Sequence, residues 1–241
     1  MNGRNEKKRG ILRRACCLLL CLGLFLSQES LALAKSSGTS QKQDDKAAVF
    51  NVTDQMLDKA AEIGRANTPG IMYVSLSGTE QMQAVRIRLG CKWISNNCRG
   101  EDPLQISLQT TIGHMTLDEE VQQRLTAQSL EDDILEFFLA KVAMSRKQRA
   151  LYGKNAEMWQ LTCSVGGEKV SGLWKGKEWI SARLAVEPTP GVSRRAAVIK
   201  DDGTLVEIWG HDPDYTKEIS SSRNAYSLTT DTFGTIVLLD A

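Results

Sequence analysis

His114 and His211 are the only histidines in the chain, so any chemistry that needs an imidazole must use one of them. His211 opens the run His211-Asp212-Pro213-Asp214-Tyr215. A histidine beside two carboxylates can bind a metal, or act as a general base that an aspartate orients. His211, Asp212 and Asp214 are therefore the candidate catalytic residues. The same run is also ordinary turn chemistry, because Asp side chains cap turns and Pro fixes one torsion. The turn is the simpler account of it. His114 follows Gly113 at the end of an alternating segment.

Thiol chemistry has Cys91, Cys98 and Cys163 to draw on once the first 34 residues are set aside. Cys91 and Cys98 bracket Lys92 to Asn97, which reads as a loop with a turn at Asn96-Asn97. A bridge between them is the expected disulfide, and it would remove about 2–3 kcal/mol of unfolded-state entropy. Six intervening residues are too many for the tight pairs of a structural zinc site. Cys163 shares an apolar strand face with Trp159 and Leu161, which suits an inert core thiol better than a nucleophile. No Gly-x-Ser-x-Gly elbow, phosphate-binding glycine loop or dinucleotide fingerprint occurs in the chain. The acid pairs Glu119-Glu120 and Asp132-Asp133 fall in segments that read as helical. Adjacent helical residues diverge by about 100°, so neither pair converges on a substrate. The sequence implies no cofactor and no metal. Trp174 and Trp179 are the candidate binding residues, since a large flat ring on a sheet offers contact area at little entropic cost.

These residues need a scaffold, and the patterning supplies one. Thr53 or Asp54 can cap a helix to about Ala66, with Met56, Ala60 and Ile63 on one face beside Leu57. Ile71 to Ser77, Val85 to Leu89 and Leu104 to Ile112 read as strands. Thr116 to Tyr152 reads as a helical pair. Thr116 to Glu119 has the layout of a capping box, and Ser129 starts the second helix. The apolar stripe of that second helix is Leu130, Ile134, Phe137, Phe138, Val142 and Ala143. Gly153 stops it. From Glu157 the period becomes two. Gly166-Gly167, Lys175-Gly176-Lys177 and Asp201-Asp202-Gly203 mark turns between short strands. Ile236 to Leu239 is apolar on both faces and should be central. The fold class is α+β: an N-terminal helix, about three antiparallel strands and a helical pair, then a hairpin-rich meander of about six or seven strands. Residues 47–153 and 154–241 form these two halves and are expected to pack as one compact unit.

Residues 1–34 read as a cleaved signal peptide. A basic head carries Arg4, Lys7, Lys8, Arg9, Arg13 and Arg14, an apolar run spans Ala15 to Leu26, and Ala32-Leu33-Ala34 provides a small-x-small exit. The apolar run covers about 18 Å as a helix, short of the roughly 30 Å of a hydrocarbon core. Cleavage is expected after Ala34, followed by a flexible linker at 35–46 with no apolar residue. The remaining 207 residues carry 24 Lys+Arg against 27 Asp+Glu, which lacks the concentrated basic field of a nucleic-acid binder. Arg86, Arg88, Lys92 and Arg99 are the densest basic group and suit a solvated strand face. These features point to an exported, soluble, non-catalytic binding or assembly protein of the cell envelope or extracellular space. Its partner is expected to be another envelope or extracellular protein, without nucleic acid or stable membrane insertion. The alternative is an extracytoplasmic hydrolase, perhaps metal-dependent, around His211, Asp212 and Asp214.

Overall fold

The computed structural model describes residues 47–67, 70–76, 82–170, 180–186, 193–200, 202–208, 210–211 and 225–240. They form a mixed α+β fold in which two sheets face one another. The first four strands alternate between the sheets. Strand β1 (Ala48–Val52) pairs in parallel with β3 (Ala84–Gly90), while β2 (Ile71–Ser75) pairs in parallel with β4 (Gln105–Gln109). The first sheet continues from β3 to β6 (Ile134–Val142), β7 (Glu157–Val165), β14 (Gly234–Asp240), β10 (Arg194–Ile199) and β11 (Leu205–Ile208). The short β8 (Glu168–Val170) pairs with β7. The second sheet runs β12 (Gly210–His211), β13 (Ala225–Thr230), β9 (Ile180–Ala185), β5 (Gly113–Leu117), β4, β2. Strands from either side of residue 153 lie side by side in both sheets, through β6–β7 and β5–β9.

The core fills the space between the sheets. Ile87, Phe137, Leu161 and Ile236 from the first sheet meet Met72, Leu108, Leu184 and Tyr226 from the second in one apolar cluster. Three helices close one end of it: α1 (Asp54–Asn67), α2 (Cys91–Arg99) and α3 (Glu119–Thr126). Thr53 caps α1 by accepting from the Met56 amide. The apolar face of α1 differs from the expected one. Leu57, Ala61 and Gly64 are buried, while Met56 and Ile63 are exposed. Gly64 explains the rotation. A Cβ there would lie 2.7 Å from the Ile71 carbonyl oxygen, so only glycine lets α1 approach β2 this closely. The Trp93 indole donates to Asp58 at 2.8 Å and ties α2 to α1. Asn97 donates to Gln122 at 2.7 Å and to the Leu104 carbonyl at 2.9 Å, and Gln122 donates to the Leu104 and Leu117 carbonyls. This buried amide network fastens α2 and α3 to the ends of β4 and β5.

The expected antiparallel set of three strands does not form, because β2 and β4 pair in parallel in the second sheet and β3 lies in the first. Two further expectations are corrected. The first is the helical pair. Thr116 belongs to β5, the cap of α3 is Asp118, and residues 134–142 are the strand β6. Strand β6 lies between β3 and β7 with Phe137 and Phe138 both buried, one on each face, so its apolar run carries no period of its own. The helix of this region is the short α4 (Arg146–Tyr152), closed by a Ser145–Gln148 capping box and by Gly153 at φ 116°. Tyr152 packs on Ala197, Val237 and Leu239, on the sheet face opposite the core. The second correction concerns the disulfide. Cys91 to Arg99 is helical, with Cys91, Ile94 and Cys98 buried at helical spacing. Seven residues of helix separate the two Cα atoms by about 10.5 Å along the axis, beyond the roughly 4.4–6.8 Å a disulfide spans. Cys91, Cys98 and Cys163 are free and buried.

Much of the second half follows its patterning. Gly166 and Gly167 take φ 57° and 86° in the β7–β8 hairpin, and Gly203 takes φ 82° between β10 and β11. Strand β14 is central, between β7 and β10. The turn expected at 175–177 lies outside the described residues. No helix among the described residues is long and apolar enough to cross a membrane.

The strand assignment of residues 134–142 separates two side chains that a helical stripe would bury together. Phe137 is fully buried, whereas Leu130 is 73% exposed. Phe137→Ala should lower unfolding free energy by about 3–5 kcal/mol, and Leu130→Ala should stay within about 0.5 kcal/mol of the parent, both read by denaturant unfolding. Thiol alkylation provides a second check. Under native conditions Cys91, Cys98 and Cys163 should all resist labelling, and under denaturing, non-reducing conditions peptide mass analysis should find all three labelled.

Candidate functional site

Both histidine positions are on the second sheet, and His114 is on its face away from the core. His114 on β5 is opposite Arg183 of β9, Arg183 is opposite Ser227 of β13, and Ser227 is opposite position 211 of β12. The two histidine positions thus share one cross-strand row. Three strand spacings part the two backbone positions, about 14 Å. Burial, with the Arg183 guanidinium adding to it, holds the His114 imidazole below its ordinary value. Asp212, Asp214, Trp174 and Trp179 lie outside the described residues, so the candidate His–Asp group is represented only by the β12 backbone. Among the described residues, no three His, Cys, Asp or Glu side chains gather as a metal ligand set.

The cysteines are buried. Cys163 faces the core from β7 and Cys91 opens α2 at the helix-capped end. Burial raises all three thiols, Cys163 the furthest. A raised, buried thiol is a poor nucleophile.

The site that the fold does assemble is at the opposite end of the sandwich, away from α1, α2 and α3. Strands β6, β7, β10 and β14 each place a charged residue there, at the last position of an alternating run. Lys141 continues the inward register of Leu135, Phe137 and Leu139. Glu157 shares that of Trp159, Leu161 and Cys163, Arg194 that of Ala196 and Val198, and Asp240 that of Ile236 and Leu238. Lys141 Nζ is 2.9 Å from Glu157 Oε2, and Arg194 Nη2 is 3.8 Å from Glu157 Oε1. The Arg194 side chain is 3% exposed and that of Glu157 is 13% exposed. Charges this deep must be matched within the protein, because burial without a partner costs several kcal/mol. Asp240 lies opposite Arg194 on the neighbouring strand and accepts from the Asn155 amide at 3.3 Å. Gly153 is required beside it, since a Cβ there would lie 2.6 Å from Asp240 Oδ2.

Two cavities adjoin at Lys141. One, of about 280 Å³, is lined by Met82, Ile112, Trp159, Ala185 and Val186, with Gln83 and Lys141 as its polar residues. The Lys141 ammonium lies 5.7 Å from the Trp159 ring centroid, within reach of a cation–π contact. The other, of about 240 Å³, is lined by Lys141, Arg149, Lys154 and Arg194 with Glu157 as its only acid. Arg149 and Lys154 are exposed, and neither forms an ion pair among the described residues. Counting Asp240 behind Arg194, four bases stand against two acids, and the two unmatched bases are those nearest solvent. Such an arrangement attracts and holds an anion.

None of these residues was a sequence-level candidate. They are spread from 141 to 240 and form no local motif. The available signal was a charged residue at an inward strand position, and it becomes visible only after the strands are correctly assigned. The dense basic group of Arg86, Arg88, Lys92 and Arg99 also sets four bases against two acids, but three of its four bases are paired. Arg86 and Arg88 both pair with Glu136, and Lys92 pairs with Glu131.

The lowered His114 value sets a pH dependence. The unfolded chain takes up a proton near pH 6.5 while folded His114 resists it, so the unfolded state binds more protons below that pH. Stability from this group is complete above about pH 6.5 and declines as pH falls toward the folded value. The denaturant midpoint should therefore drop less between pH 7 and pH 5 in His114→Gln than in the parent. Equal slopes would show that His114 does not contribute. Neither the family models, nor the curated proteins, nor the solved structures compared with this chain match it.

Proposed function

We propose that this chain is an exported, non-catalytic binding protein of the cell envelope or extracellular space, and that the open end of its sandwich receives an anionic group. The observation that supports this reading is the lining of the 240 Å³ cavity, where Lys141, Arg149, Lys154 and Arg194 face the single acid Glu157. Glu157 engages Lys141 and Arg194, which leaves Arg149 and Lys154 to meet an incoming charge. At an effective dielectric near 20, a charge about 4 Å from one of them gains about 4 kcal/mol of direct attraction. The exported location is supported by the leader-like composition of residues 1–34. The hydrolase reading rests on Asp212 and Asp214, which lie outside the described residues.

Isothermal titration with inorganic phosphate and with acetate tests the proposal. Binding should weaken as sodium chloride rises, because the attracting groups are exposed. The double variant Arg149→Ala, Lys154→Ala should bind at least about tenfold more weakly, a loss of about 1.4 kcal/mol, with an unchanged unfolding midpoint. His211→Ala should bind as the parent does. Parent-like affinity in the double variant would remove the site from consideration.

A further inference from the structure

The basic cavity has an apolar neighbour, and Lys141 forms part of both walls. We propose that the ligand is a small amphiphile, a short apolar chain ending in a carboxylate or phosphate. Its charged end would lie among Arg149, Lys154 and Lys141, and its chain would enter the 280 Å³ space between the sheets. This inference rests on the anion-binding reading and adds the second compartment to it.

Three features carry the assignment. First, much of the wall of the larger cavity is apolar on both sheets: Trp159 from β7, Ala185 and Val186 at the end of β9, and Ile112 in the β4–β5 turn, with Gln83 and Lys141 as its polar residues. An alkyl chain against the apolar part of this wall would be removed from water. Second, the volume is slightly below the roughly 300–1,000 Å³ of pockets that enclose drug-sized ligands, which suits a short chain and excludes a bulky one. Third, Lys141 is the side chain at the junction. Its apolar stem can line the chain-binding side while its ammonium, close to Glu157, faces the charged side. A neutral apolar ligand would leave Arg149 and Lys154 without a counter-charge, and a small inorganic anion would leave the larger cavity unfilled. A molecule with both characters uses both.

The test is a titration series on the purified protein with acetate, butanoate, hexanoate, octanoate and decanoate. Hexyl phosphate and hexanol serve as head-group controls. Affinity should rise about fourfold per added methylene until the cavity is full, and then level off. Hexyl phosphate should follow hexanoate, and hexanol should bind at least about tenfold more weakly than either. Val186→Phe, which adds bulk to the inward-facing wall of the cavity, should abolish the gain with chain length while leaving acetate binding intact. If that variant does not fold, the length series on the parent protein decides alone. Acetate and phosphate binding without any gain along the series would overturn the amphiphile and keep the anion site. No binding by any anion would overturn both. Chain-length gain shared equally by hexanol would overturn the requirement for an anionic end.

Discussion

A carboxylate held almost out of water sets the terms for one end of this molecule. Glu157 sits at an inward position of β7, in register with Trp159 and Leu161, where the pattern calls for an apolar residue. An ionised acid survives there only with cations in reach. Lys141 and Arg194 supply them from strands on either side of β7, one directly beside it and one beyond β14. Lys141 is opposite Trp159, so it reaches Glu157 diagonally, the geometry in which long side chains meet across a sheet. The register of four strands must be correct at once for this group to form. A one-residue slip in β6 or β10 would turn Lys141 or Arg194 to the opposite face and leave Glu157 short of charge.

The two ends of the sandwich differ because of how the chain is threaded. Strands β1 to β4 alternate between the sheets, and the helices α1 and α2 fall in the connections. Those connections, and α3 after β5, all arise where β3 and β5 end and β2, β4 and β6 begin. Apolar side chains and the Asn97–Gln122 network seal that end. At the other end the connections among the described residues are the short turn at 110–112 and the segment around α4, whose Tyr152 packs on the far side of the first sheet. Among the described residues, that end carries charged residues and no helical cover. The 280 Å³ cavity lies between the two sheets there, and the 240 Å³ cavity lies between the first sheet and the segment around α4.

Legibility in the sequence followed periodicity. Strands with one wet face were readable. Val85, Ile87 and Leu89 alternate with Arg86 and Arg88, and the Gly166-Gly167 turn has only one plausible geometry. Strand β6 was misread because Phe137 and Phe138 are adjacent and both buried, each against a different layer. A strand covered on both faces loses its period of two, and its apolar run then resembles a helical stripe. Helix α2 was hidden for the opposite reason. It is short, begins directly after Gly90, and its cysteines invited a covalent explanation for a spacing that is helical. The site was beyond local reading. Lys141 and Arg149 fell within the segment read as a helical pair, and Glu157 and Arg194 acquire meaning only when β14 brings β7 and β10 together.

The division of chemistry between the two sheets also bears on the kind of function. Groups able to exchange a proton near neutrality are the usual means of acid–base catalysis. His114 is on the outer face of the second sheet, on the other side of that sheet from both cavities, and the three thiols are buried in apolar surroundings. The open end offers guanidinium groups and lysines instead. A guanidinium carries a permanent charge and five directed donors, so it fixes and orients an anion but does not shuttle protons. The acid that could have served as a base, Glu157, is committed to Lys141 and Arg194. Loss of that commitment would free a carboxylate and at the same time strand Arg194 in a 3% exposed position. On the proposed reading, the interaction that holds the first sheet's charged end together is also what leaves Arg149 and Lys154 to meet a ligand.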